Sequence, residues 1–151
     1  MINNDLIQIV FSEEEKTSLK DAMKTIQDII KPKAPNLSTD ERREYGSVAE
    51  LNKLKIDKGR TYMAEYPAFV PAFVDAEEFE RDYQARLHIG ETLIGITDLQ
   101  RQLSDIKILL DYDNYQDVLA FYRSVRYHAM EQDSSAITIY NDMKKLFPYG
   151  K

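Results

Sequence analysis

Four times along this chain a serine or aspartate is followed three residues later by a glutamate: Ser12 to Glu15, Ser38 to Glu41, Ser47 to Glu50 and Asp75 to Glu78. In that spacing the first side chain accepts from the N–H three residues on, and the glutamate reaches back to the opening N–H, so each pair marks where a helix begins. No other feature constrains the fold as strongly. No segment alternates with period two over a useful length; only Ile7-Gln8-Ile9-Val10-Phe11 hints at a strand. Five glycines and five prolines in 151 residues leave little material for a loop-rich or all-β design.

Reading onward from each start, apolar residues recur at helical spacing. Leu19, Ala22, Met23, Ile26, Ile29 and Ile30 stripe the first helix, which Pro32 and Pro35 end near Lys31. The Ser38 box opens a short helical turn through Tyr45 that Gly46 is expected to stop. The Ser47 box then starts a helix to about Glu65, striped by Val48, Leu51, Tyr62 and Tyr66. From Asp75 a long helix is expected over about 75–110 along Phe79, Tyr83, Leu87, Ile94, Leu99, Leu103, Ile106 and Leu110, with Gly90 and Gly95 as points for a bend or close approach. Asp111-Tyr112-Asp113-Asn114 reads as a turn, and a further helix carries Tyr115, Val118, Leu119, Tyr122, Val125 and Ala129. Gln132-Asp133-Ser134-Ser135 breaks it, and a last helix with Ile137, Tyr140, Met143 and Phe147 stops at Pro148. The expectation is an all-α, single-domain bundle of five or six helices over residues 1–151, with residues 1–11 extended or disordered.

Between the second and third of these starts and the long helix lies a Pro-aromatic connector, Pro67-Ala68-Phe69-Val70-Pro71-Ala72-Phe73-Val74, in which Pro-Ala-Phe-Val occurs twice. Two prolines four apart exclude a regular helix interior. One reading packs the connector across an end of the bundle. The other makes Phe69, Val70, Phe73 and Val74 an exposed hook for a protein partner.

Three stretches resemble a family of small all-α bacterial proteins of no known activity. They are Val70-Pro71-Ala72-Phe73-Val74-Asp75-Ala76-Glu77-Glu78-Phe79, Ala120-Phe121-Tyr122-Arg123-Ser124-Val125, and the ending from Ala136-Ile137-Thr138-Ile139-Tyr140 to Phe147-Pro148. The resemblance implies a helical fold and a bacterial, cytoplasmic setting. It transfers no functional residue.

Composition narrows the function. With no cysteine, disulfides, thiolate zinc sites and thiol nucleophiles are excluded. A net charge of −6 disfavours a nucleic-acid backbone as partner. No apolar run is long enough to span a membrane, and residues 1–5 lack the start of a signal peptide. Ser104, Ser124, Ser134 and Ser135 have no elbow glycines, and there is no Gly-rich phosphate loop. Glu13-Glu14-Glu15, Asp40-Glu41 and Glu77-Glu78 sit in first turns of helices, where they offset the positive end of the dipole. Lys53, Lys55, Lys58 and Arg60 read as a solvated face.

One constellation points to chemistry. The only two histidines each precede a glutamate by three residues, His88 with Glu91 and His128 with Glu131, on what are expected to be two separate helices. If those helices faced each other, the four side chains would make a two-His, two-Glu metal site with oxidase or hydrolase chemistry. Against it stands the order of the motif, opposite to the Glu-then-His arrangement of bundle di-metal proteins. The leading expectation is therefore a non-enzymatic protein with no cofactor that acts by binding a protein partner or itself, and its ten tyrosines suit an interface.

Overall fold

The computed structural model describes residues 5–147, apart from the side chains of residues 48–50. It is all-α: α1 (Glu13–Ile30), α2 (Thr39–Glu65), a 3-10 turn (Pro67–Phe69), α3 (Ala76–Met130) and α4 (Ser134–Met143). There is no strand among the described residues; residues 7–11 run irregularly up to the α1 cap. No described helix is long and apolar enough to cross a membrane.

The first two capping boxes form as expected. Ser12 Oγ accepts from the Glu15 N–H at 3.1 Å while Glu15 accepts from the Ser12 N–H at 2.8 Å. Ser38 and Glu41 repeat the exchange at 3.2 and 2.9 Å. Those backbone and hydroxyl bonds to Ser38 hold the Glu41 carboxyl below its ordinary range. Asp75 caps α3 with a different pattern, its Oδ1 accepting from the N–H groups of Glu77 (2.9 Å) and Glu78 (3.0 Å), which lowers its own affinity for a proton.

Two expected breaks do not occur. Helix α2 runs through Gly46, because a lone helical glycine costs only about 1 kcal/mol and no proline seconds it. Ser47 does not cap there; its hydroxyl donates back to the Glu44 carbonyl at 2.8 Å. The Glu50 half of that box, with Val48, lies outside the described side chains, and Pro148 to Lys151 lie outside the described residues. Helix α3 begins on schedule but continues beyond Leu110 to Met130, so the two helices expected over about 75–132 are one. Asp111 is occupied by an ion pair with Lys107, one turn back. Asp113 accepts the N–H groups of Leu6 (2.9 Å) and Ile7 (3.2 Å) from the N-terminal segment. Neither aspartate is free to cap. Nor do Gly90 and Gly95 mark close contacts, since a Cβ at either would meet nothing within 4 Å.

The described chain clusters into two units, residues 11–95 and residues up to 10 with those from 96 onward. In the first unit α1 stands with Leu19, Met23, Ile26, Ile29 and Ile30 all exposed. The same unit contains a hairpin in which α2 and the start of α3 are joined by the connector. In the second unit α4 folds back on the end of α3. Gln132 makes that reversal with φ of 68°, and Asp133 Oδ1 caps α4 by accepting from Ser135 (2.8 Å) and Ala136 (3.1 Å). Val125 (6% exposed) and Ala136 (7%) are the only buried side chains among those described, and both belong to this hairpin.

Candidate functional site

The connector builds an open apolar concavity in its unit. After α2 ends at Glu65, the Tyr66 N–H still bonds to the Tyr62 carbonyl at 2.8 Å, and Pro67 starts a single 3-10 turn closed by Val70 N–H to Pro67 O at 3.2 Å. Pro71 then starts a second turn closed by Val74 N–H at 2.9 Å. The repeated tetrapeptide is thus two consecutive proline-initiated turns, which is where proline's fixed φ belongs. Their effect is to sort the four candidate partner-binding residues. Val70 and Val74 are half-buried, whereas Phe69 (82% exposed) and Phe73 (89%) project into solvent.

Val70, Pro71 and Val74, together with Tyr62, Met63, Tyr66 and Phe69, line an open apolar pocket of about 310 Å³. Its aromatic wall is a run of rings, Tyr62 to Tyr66 at 6.5 Å and Tyr66 to Phe69 at 6.0 Å between centroids. No carboxylate, imidazole or amine lines this pocket, so nothing there moves a proton at neutral pH. Its chemistry is that of a contact surface.

Beside the connector, a polar clasp fixes how α2 and α3 lie against each other. Arg60 grips Glu80 with two parallel bonds of 2.6 Å, and Gln84 adds a third at 2.8 Å. The Arg60 guanidinium first, then Gln84, brings the Glu80 carboxyl down to about 2. The same bond, foremost among its causes, raises the proton affinity of Arg60. Tyr83 lies between two cations, 4.5 Å from Arg60 and 5.5 Å from Arg86, and its hydroxyl donates to Asp57 at 3.1 Å. Arg86 completes the cluster with Asp57 at 3.5 Å. Every charge is matched within the clasp, so it reads as a structural latch. Reading Lys53 to Arg60 as one solvated face missed Arg60; the signal was opposite charges at similar distances on either side of the connector.

The metal constellation takes a different form from the one expected. Both histidines stand on α3 itself, and Glu131 lies just past its end. His88, Glu91, His128 and Glu131 are all exposed; the His128 ring sits edge-on to Tyr127 at 5.6 Å. Among the described residues no three His, Cys, Asp or Glu side chains gather closely enough to hold a metal ion.

On the second unit, Tyr122 stacks on Phe147 at 4.6 Å and on Tyr140 at 5.8 Å, in the hairpin that buries Val125 and Ala136. Burial there, reinforced by the Tyr140 hydroxyl, raises the Tyr122 phenol above its ordinary value. Comparison with known families, curated proteins and solved structures finds nothing that matches this chain.

Proposed function

We propose that this chain is a non-enzymatic binding protein of a bacterial cytosol whose apolar helix faces are completed by association, with a protein partner or with copies of itself. The observation that carries the reading is the amount of surface left open, exposed apolar side chains included. The chain exposes 13605 Å². Two separate compact bodies of the same combined mass would together expose only about 9,500 Å². The excess, about 4,000 Å², is more than the roughly 1,000–2,500 Å² that one partner of an obligate interface contributes, so association has ample surface to cover. Leu19, Met23, Ile29, Leu99 and Leu103 are among its contributors. The bacterial setting is supported by the resemblance of the three sequence stretches alone.

The test is amide exchange of the α1 segment read against protein concentration and against host lysate fractions. Protection that rises with concentration or with a lysate fraction is the expected outcome. Fully protected α1 amides in a chain that stays at 17.6 kDa at every concentration would overturn the reading, since its faces would then be covered from within. Metal is tested apart from this. Chain purified without chelator or metal-affinity tag is expected to carry far less than one equivalent of zinc, iron or manganese. A full equivalent that disappears in His88→Ala or His128→Ala would establish the metal function instead.

A further inference from the structure

The part of α3 from Ile96 to Ile106 carries a seam with its own symmetry. Ile96, Leu99, Leu103 and Ile106 follow one another at intervals of three, four and three residues, the a/d spacing of a coiled-coil seam. Leu110 extends the stripe by a further four. Leu99 and Leu103 are each 56% exposed. The opposite side of the same turns is finished with polar bonds: Arg101 pairs with Asp98 at 2.8 Å and with Asp105 at 3.5 Å, and Gln102 donates to Asp98 at 2.7 Å. Polar bonds thus gather around Arg101, while in the seam Ile96, Leu99 and Leu103 stand open to water and Ile106 is partly covered.

The order of the four seam residues from Ile96 to Ile106, Ile-Leu-Leu-Ile, reads the same in both directions. A two-fold interface must present one patch to itself, each residue i meeting j and j meeting i. The geometry points to a second copy of this chain as the occupant, laid antiparallel about an axis at the level of Arg101. Ile96 then meets Ile106 of the second copy and Leu99 meets Leu103, pairing a with d positions in every layer. The flanking positions nearest the axis are Gln100 and Gln102, each facing its own counterpart, so no like charges oppose the pairing. This inference rests on the association reading above and commits it to one surface and one partner.

Light scattering of the full chain is expected to give about 35 kDa, twice the 17.6 kDa of one copy. In Leu99→Glu/Leu103→Glu, four carboxylates would meet in the seam, and the mass is expected to fall to that of one copy with helical circular dichroism retained. A dimer that survives this double substitution would overturn the seam while leaving association standing. A native chain of single-copy mass would also overturn the seam, leaving the broader reading to the exchange experiment. Should the glutamates unfold the helix, spin labels decide the matter in the otherwise native chain, which has no cysteine of its own. A label at Gln100→Cys is expected about 3 Å along the axis from its twin, and one at Asp111→Cys about 30 Å, from the 1.5 Å rise per residue. Short distances at both positions mean a parallel pair, and no coupling at Gln100→Cys means no pair there. Either result overturns the inference.

Discussion

Helix α3 is held by a neighbour near each end, and the two hairpins are closed by different physics. Near its start, α2 is latched on by Arg60–Glu80, Asp57–Arg86 and the Tyr83 ring between the two guanidinium groups, all of them half-exposed. Near its end, α4 is closed down by the partly covered Tyr122–Tyr140–Phe147 stack, in the hairpin that buries Val125 and Ala136. Charged pairs at that level of exposure add little stability, since water and salt compete for both partners, but their forked geometry accepts a single register. Stacked rings and buried aliphatic groups are tolerant of register and supply the free energy. One hairpin is therefore aligned, and the other is stabilised.

The largest effect is expected where that contrast is sharpest. Val125→Asp places a carboxylate at a buried position of the α3–α4 hairpin and should cost it about 3 kcal/mol. Amide exchange resolved by residue would show α4 opening while the α2–α3 amides keep their rates. If the two hairpins lost protection together, they would be one cooperative unit and the comparison would fail. A smaller loss is expected from Asp133→Ala, which removes the acceptor of the Ser135 and Ala136 N–H groups and should cost about 1 kcal/mol. Its exchange signature should be confined to the first turn of α4. A change of that size that spread into Tyr122 and Val125 would mean the cap, rather than the rings, seats the helix.

Local features of the sequence were legible; those that depend on distant partners were not. The boxes at Ser12 and Ser38, the proline-punctuated connector and the reversal at Gln132-Asp133 are each specified within a few residues, and the chain follows them. The stops expected at Gly46 and at Asp111 to Asn114 failed because a stop signal is only an offer. Asp113 was claimed by backbone N–H groups more than a hundred residues away, which no window along the sequence contains. Arg60 was taken for a solvated cation for the same reason, its carboxylate lying twenty residues off across the connector. Of the candidate partner-binding residues, the segment was legible but its sorting was not. Proline turns, rather than helical or strand periodicity, turn Phe69 and Phe73 outward and tuck Val70 and Val74 in.

The smallest expected effect is also the one that isolates the latch from everything else. Glu80 in the folded chain takes up a proton only at about 2, whereas an unperturbed glutamate does so near 4.5, and Arg60 is the main cause. The unfolded form therefore binds the proton first as pH falls, which drains stability from the folded side. The contribution of the pair is complete above about pH 4.5 and disappears progressively as pH falls from there toward 2. Protection of the α2–α3 amides near Arg60, relative to exchange of the unfolded chain at the same pH, should accordingly fall across that window in the native chain. In Glu80→Gln the protection near Arg60 should start lower at neutral pH and fall less, because the group that titrates is gone. Salt at about 1 M, where charges are screened beyond about 3 Å, should bring the native chain toward the Glu80→Gln profile. The other hairpin is closed by stacked rings rather than by a forked ion pair, so equal salt sensitivity at both ends of α3 would remove the distinction between a helix that is aligned and one that is packed.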